Sequence, residues 1–281
     1  MGSFLTARQI SANEYKDFRT FLEKASGIVL GENKQYLITS RLNRLMDAEG
    51  VDRFATLTQK ITTNKALRDK VLDAMTTNET SWFRDRYPFE MLKKDVFPEI
   101  AAQRASQLKI WSAASSTGQE AYSISMTIQE YMMSRPGSLP SRIEIVGTDI
   151  STSVVADARK GCYDGLSMAR GLSPERKKQF FKQRPGEDVW ELREDIRKRV
   201  VFRELNLMSS YALLGKFDII FCRNVLIYFS SALKREILEK IAGVLKPNGY
   251  LFLGGSESTA NYTDRFEMIK LPAGMLYKLR S

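Results

Sequence analysis

Through the first 75 or so residues, apolar positions fall three and four apart. Tyr15, Phe18, Phe21, Leu22 and Ala25 share one helical face behind Ser11-Ala-Asn-Glu14, a capping box, and Gly27 ends the run. A second periodic stretch begins near Asn33, turns Leu37, Leu42, Leu45 and Met46 inward, and stops at Gly50. Phe54, Leu57 and Ile61 mark a third helix, and Leu67, Val71, Leu72 and Met75 a fourth. The pattern predicts a small all-helical domain over residues 1–75.

From about residue 76 the period changes. Apolar runs of β type at 108–112, 143–148, 200–204, 217–222 and 250–254 alternate with helical stretches. That alternation predicts a mainly parallel sheet covered by helices on both faces, an α/β domain over 76–281. Phe217-Asp-Ile-Ile-Phe-Cys222 reads as a central strand. Leu245-Lys-Pro-Asn-Gly249 reads as a helix C-terminus and tight turn before a strand at Tyr250-Leu-Phe-Leu-Gly254. Residues 160–204, with the Gly-, Pro- and charge-rich Arg184-Pro-Gly-Glu-Asp188, break the alternation and read as an inserted lobe.

Trp111-Ser-Ala-Ala-Ser-Ser-Thr-Gly-Gln-Glu-Ala-Tyr-Ser123 joins a strand to a helix through small residues. Such a turn admits a ligand close to the backbone and offers free N–H groups at the helix start. Ile143-Glu-Ile-Val-Gly-Thr-Asp149 follows as a strand ending in an acid, the arrangement by which α/β folds hold an adenosine. Gly118 is the turn's single glycine, so the pattern describes an ordinary α/β core element equally well. Three more motifs lie where ligand groups belong: Asn78-Glu-Thr-Ser-Trp-Phe-Arg84, Asn206-Leu207, and Arg223-Asn-Val-Leu-Ile-Tyr-Phe229. Taken singly, Asn78 is also a helix cap, Asn224 a turn residue and Tyr228 a half-buried aromatic.

Composition narrows the chemistry. The 281 residues hold no histidine, which removes the commonest metal ligand and general base together with every Ser-His or Cys-His nucleophile. Cys162 and Cys222 make neither a disulfide framework nor a zinc site, so no metal is expected and a reducing cytosol is the default. A net charge of +10 points to an acidic partner, or to a solvated basic surface. Lys34, Arg41 and Arg44 form a positive stripe on the second helix, whose plain reading is a solubilising face. No apolar run approaches the roughly 20 residues that span a bilayer, and no secretory signal opens the chain. Met1-Gly-Ser-Phe-Leu-Thr6 formally matches a myristoylation pattern, more simply read as a cloning scar or coincidence.

Taken together the motifs resemble the CheR-type chemotaxis receptor (protein-glutamate) O-methyltransferase family. The resemblance rests on Asn78–Arg84, Trp111–Ser123, Gly147-Thr-Asp-Ile-Ser151, Asn206-Leu207 and Phe217–Phe229. It extends to Leu245-Lys-Pro-Asn-Gly-Tyr-Leu-Phe-Leu-Gly-Gly-Ser-Glu-Ser258, in the family's order and approximate spacing over nearly the whole chain. Ala121 stands where many members carry proline, and Trp82 where phenylalanine is common. The resemblance implies a Rossmann-like S-adenosylmethionine-dependent methyltransferase domain, a small all-helical N-terminal domain, and a small β-subdomain inserted over 160–204. It implies cofactor contacts from Asn78, Thr80, Arg84, Glu120 and Asp149. Asn206, Leu207, Arg223 and Asn224 would line the adenine and methionine sides of the same cleft, while Arg84 and Tyr228 would position a substrate carboxylate.

The implied reaction moves a methyl group from S-adenosylmethionine to glutamate carboxylates in the cytoplasmic acidic helical region of bacterial chemoreceptors. S-adenosylhomocysteine is the product. The stripe Lys34, Arg41 and Arg44 would then steer and dock a negative helix surface. This picture expects a cytoplasmic signal-transduction enzyme with no nucleic-acid partner and no direct membrane insertion. A nucleic-acid methyltransferase is the enzymatic alternative, but Arg223-Asn-Val-Leu-Ile-Tyr228 lacks the Asn/Asp-Pro-Pro-aromatic motif of amino-methylating DNA enzymes. A non-catalytic cofactor-sensing scaffold on the same fold is the other alternative.

Overall fold

The computed structural model describes residues 8–280, so the myristoylation match at residues 1–6 lies outside the described residues. The chain divides into two compact units, one comprising the chain to Thr77 with Tyr228–Leu233, the other Asn78–Ile227 with Lys234 onward.

In the first unit α1 (Ala12–Ser26) starts at the capping box. Ser11 Oγ accepts the Glu14 N–H, and the Glu14 carboxylate accepts the Ser11 N–H at 2.9 Å. Gly27 ends the helix at φ +77°, a left-handed cap that only glycine adopts without strain. Helices α2 (Gln35–Ala48), α3 (Phe54–Thr63) and α4 (Lys65–Met75) complete the bundle. Phe18, Leu22, Ile38, Leu42, Met46, Leu57, Ile61 and Val71 are buried without exposed surface. In α2 the core face is centred on Ile38, and the predicted inward Leu37 and Leu45 flank it half-buried. The segment at Tyr228–Leu233 belongs here because the Val29 N–H donates to the Tyr228 carbonyl at 2.9 Å and Ile28 bridges Phe229.

The second unit opens with α5 (Tyr87–Met91), a π-helical turn at Leu92–Val96 and α6 (Phe97–Ala102). Next come β1 (Gln107–Ala113), α7 (Gln119–Ser134), β2 (Arg142–Asp149) and α8 (Thr152–Lys160). The inserted stretch holds β3 (Cys162–Asp164), α9 (Gly165–Ala169), α10 (Pro174–Phe180), β4 (Phe181–Gln183), β5 (Val189–Leu192) and α11 (Glu194–Arg197). Then follow β6 (Val200–Glu204), β7 (Phe217–Cys222), α12 (Ser231–Val244), β8 (Leu245–Leu253), β9 (Phe266–Leu271) and β10 (Gly274–Leu279).

The main sheet runs β6-β2-β1-β7-β8-β10-β9, parallel from β6 to β8 and antiparallel at β10 and β9. This is the mixed α/β sheet with helices that the apolar runs predict. Successive strands step outward from β1 to β2 and β6, then the chain jumps back across β1 to β7. Connections therefore diverge between β1 and β7, and such a reversal leaves a crevice at the carboxyl ends of those strands. The buried aromatics Trp111 and Phe217 stack at 5.6 Å and Phe221 and Phe252 at 4.5 Å, which joins β1 to β7 and β7 to β8 across the faces of the sheet.

Three local features differ from the sequence reading. Leu245 already pairs with Phe217, so Leu245–Gly249 is no helix end and turn; it is the start of β8 with an irregularity opposite Phe217–Ile219. Buried Leu245 gains from that register, and Pro247, with no N–H to offer a ladder, fits a bulge where Asn248 reaches φ +60°. The short strands β9 and β10, half exposed, carry no apolar run long enough to announce themselves. Finally, β3, β5 and β4 form a separate antiparallel sheet of short strands, whereas β6, at the end of the same stretch, is an edge strand of the main sheet.

Candidate functional site

At the carboxyl end of β1 the chain turns through Ala114, Ser116 and Gly118 at φ +54°, +51° and +95° before α7 begins. A Cβ on Gly118 would meet the Phe202 ring at 2.9 Å, so both space and backbone require glycine there. Asp149, at the end of β2, braces this turn. Its carboxylate accepts the Ser116 N–H at 2.9 Å and the Ser151 N–H at 3.0 Å. The Ser116 hydroxyl donates to the Asn78 carbonyl at 2.9 Å, which ties the turn to Asn78–Arg84, the segment the resemblance implies as a second wall of cofactor contacts.

Glu120, in the first turn of α7, lies within an ionic chain. It accepts from the Ser112 hydroxyl at 2.8 Å and from Arg223 Nη1 at 2.9 Å. Arg223 Nη2 reaches Asp85 at 2.6 Å and the Arg84 carbonyl at 3.1 Å. The Arg223 side chain is 1% exposed, Glu120 13% and Asp85 43%, so the guanidinium is a buried cation held between an inner and an outer carboxylate. Its Nε is buried with no hydrogen-bond partner, as is Ser115 Oγ in the turn. Arg223, anticipated as a lining residue, thus also joins the start of α7 to the Arg84-Asp85 backbone. The Arg84 guanidinium donates to the Glu79 carbonyl at 3.3 Å.

The loop after β7 is organised by a residue with no role in the sequence reading. Glu257, buried at 8% exposure, accepts four backbone N–H groups: Asn224 at 2.7 Å, Val225 at 2.9 Å, Leu226 at 2.8 Å and Gly254 at 2.7 Å. Asn224 sits at φ +58° inside this cradle, and a Cβ on Gly254 would lie 2.7 Å from the Glu257 carboxylate. The available signal was one acid following the apolar strand and small residues of Gly254-Gly-Ser-Glu257. At the end of β6, Asn206 Oδ1 accepts the Met208 N–H at 2.9 Å and Leu207 is buried. Asn78 and Thr80 are half-buried in the second unit, and half-buried Tyr228 belongs to the first.

Two family models match this chain end to end: "CheR methyltransferase, all-alpha domain" over residues 13–76, and "CheR methyltransferase, SAM binding domain" over 78–275. The chain belongs to the CheR methyltransferase family. Chemotaxis protein methyltransferase 1 of Pseudomonas aeruginosa is 53% identical over 269 residues, covering 95% of this chain and 98% of that protein. Chemotaxis protein methyltransferase 1 of Vibrio cholerae serotype O1 is 51% identical over 278 residues, covering 98% and 100%. The chemotaxis protein methyltransferase of Salmonella typhimurium is 34% identical over 264 residues, covering 92% and 88%. This CheR protein is therefore an S-adenosylmethionine-dependent methyltransferase.

The residues present fit that cofactor. It carries hydroxyls, an ammonium group and a carboxylate. The site offers the strand-end carboxylate of Asp149, the partly open carboxylate of Glu120, a turn of small side chains and the orphaned Ser115 hydroxyl. Among the described residues no cluster of acidic or cysteine side chains could hold a metal ion, and no helix is long and apolar enough to cross a membrane.

In the CheR all-alpha domain the positive stripe divides. Lys34 and Arg44 are exposed. Arg41 instead donates to the carbonyls of Met75 at 2.6 Å and Thr76 at 3.2 Å, and to the Thr77 hydroxyl at 3.1 Å. Its guanidinium closes the C-terminus of α4, where the last carbonyls lack intrahelical donors.

Proposed function

We propose that this CheR enzyme methylates glutamate side chains in the acidic helical region of membrane chemoreceptors, yielding methyl esters in the cytoplasm. The observation that carries the reading is likeness to chemotaxis methyltransferases across 95% of the chain, the all-alpha domain included. Asn78, Thr80, Arg84, Glu120, Asp149, Asn206, Leu207, Arg223 and Asn224 would hold the cofactor. Asp149 suits the ribose hydroxyls from its charge at the end of β2, and Glu120 the ammonium group from its charge in the first turn of α7. When bound, S-adenosylmethionine supplies an electrophilic sulfonium methyl group. A glutamate carboxylate with an ordinary pKa near ~4.3 is already ionised at neutral pH, so a site without histidine lacks nothing this transfer needs. Arg84, through a directed ion pair, and Tyr228, through a donated hydrogen bond, orient the carboxylate oxygen toward the methyl carbon. Too tight a clamp would blunt the nucleophile, so orientation is their main contribution.

Calorimetric titration of S-adenosylhomocysteine into the wild type and Asp149→Asn tests the cofactor assignment. The asparagine removes the charge and one acceptor, and its NH2 then faces one of the two backbone N–H groups that the carboxylate accepts. Its affinity should fall by about tenfold or more, the worth of a hydrogen bond to a charged group. Equal affinity in both proteins would remove Asp149 from the contact set. Labelled methyl groups transferred to purified receptor and released by mild alkali would identify esters on carboxylates. Alkali-stable label, or label on nucleic acid, would refute the substrate assignment.

Lys34 and Arg44 we assign to receptor docking, with Arg41 committed to α4. Arg44→Glu should lower kcat/KM for receptor methylation by about fivefold to tenfold at low salt, converging on wild type at high salt, with cofactor affinity unchanged. Unchanged receptor kinetics at low salt would take the stripe out of the mechanism.

A further inference from the structure

The segment Asn78–Arg86 is the most strained in the chain, since Phe83, Asp85 and Arg86 all lie at positive φ (+48°, +66° and +54°). Side-chain-bearing residues stay in that region only where their surroundings over-determine them. Ser123 of α7 holds the Phe83 N–H and Arg223 holds Asp85, while the inserted stretch grips Trp82 and covers the Phe83 ring. The Trp82 N–H donates to the Arg170 carbonyl at 2.9 Å and its indole N–H to the Ser167 carbonyl at 3.1 Å. Its ring meets Tyr163 of β3 and Phe181 of β4 edge-on at 4.8 and 5.2 Å. Gly171, at φ +90°, packs so closely that a Cβ would lie 2.0 Å from the Trp82 carbonyl oxygen. The Arg176 guanidinium of α10 covers the Phe83 ring at 3.7 Å while paired with Glu130 at 2.6 and 3.0 Å.

The same insert also grips the opposite wall. The Tyr163 hydroxyl donates to the Thr117 carbonyl at 2.8 Å, inside the turn between β1 and α7. Trp82 and Tyr163 are in ring contact, so one aromatic pair at the base of the small sheet is bonded to both walls of the cofactor site. We propose that the inserted sheet is a positioning element for S-adenosylmethionine, with Trp82 and Tyr163 coupling its folding to cofactor affinity. The inference rests on the assignment of the cofactor to these two walls.

The physical basis is linkage. Strands of three and four residues, each with exposed positions, give the small sheet few ladder bonds of its own, so it opens more readily than the long strands of the main sheet. Opening it releases Trp82 and Tyr163 and loosens both walls at once. A cofactor that requires both walls must then stabilise the sheet. By reciprocity, whatever orders the sheet must tighten cofactor binding.

Hydrogen exchange of the full chain with and without S-adenosylhomocysteine tests this, alongside calorimetry on Trp82→Phe and Tyr163→Phe. Tyr163→Phe deletes one hydrogen bond and keeps the ring, while Trp82→Phe deletes one hydrogen bond, stays aromatic and gives up part of the buried ring volume. The wild type should gain protection across Cys162–Leu192 on binding. Both variants should bind about threefold to tenfold more weakly, one hydrogen bond's worth, with that gain diminished. Ile128→Val, which loosens the core from α7 without touching either contact, should keep both affinity and protection response. A wild type that binds normally with no change in the insert would overturn the proposal. So would wild-type affinity in both aromatic variants, or loss of the response in Ile128→Val. No binding by the folded wild type is a separate result, which sinks the cofactor assignment and the coupling with it.

Discussion

Arg223→Met is expected to destabilise the protein by about 3 kcal/mol and to abolish measurable S-adenosylhomocysteine binding. The guanidinium is 1% exposed and ion-paired to Glu120 at 2.9 Å and Asp85 at 2.6 Å. Removing one member of a buried pair costs roughly 3–5 kcal/mol because the other charge is left without compensation. Two features place the expectation at the low end. Asp85 is 43% exposed and can return to water, and methionine removes the orphaned Nε, itself an unfavourable buried donor. Glu120, at 13% exposure, cannot rehydrate as easily, and its penalty dominates. Arg223→Lys keeps the charge but loses the planar fork that reaches both carboxylates and the Arg84 carbonyl, so a loss of about 1–2 kcal/mol is expected. Denaturant midpoints for the three proteins check the order wild type, lysine, methionine. Methionine within about 1 kcal/mol of wild type would show that the network contributes position and not stability.

Much of this arrangement was legible in the sequence wherever period or chain adjacency carries the information. The helices of the first domain follow from spacing and from Ser11, Glu14 and Gly27, because capping and periodicity act over a few residues. The parallel strands β1, β2, β7 and β8 follow from apolar runs, because strands buried on both faces lose their alternation, and the edge strand β6 shows its alternation instead. The motifs at 112–120, 149 and 223–224 fall at strand ends in one unit, as their order along the chain suggested. What escaped depends on distant partners. Arg41 reads as a solvated charge until α4 ends beside it, and Trp82 reads as a tolerable aromatic exchange until its indole N–H finds Ser167. Phenylalanine in that place could not make this bond. The half-exposed β9 and β10 lack a periodic signal strong enough to separate them from loop.

Glu257 is the plainest case of a role invisible to spacing, and its substitution should be nearly as damaging as that of Arg223. Four backbone N–H groups converge on one carboxylate at 2.7–2.9 Å, and only an acceptor with two oxygens and no donors can satisfy all of them. In Glu257→Gln the amide oxygen still serves two of the four, but the amide NH2 then faces the other two donors. Each buried donor left unmet costs about 1–3 kcal/mol, and partial relaxation of the loop brings the expected loss to about 3 kcal/mol. Glu257→Ala leaves all four unmet yet opens room for water, so it should be no worse than glutamine. That inversion of the usual conservative order is the diagnostic result. The cradle holds Asn224 at φ +58°, four residues before Tyr228, which is proposed to orient the substrate, so on that proposal kcat should fall further than cofactor affinity in both variants. Glutamine restoring wild-type stability would show that the loop needs the volume at 257 and not the charge.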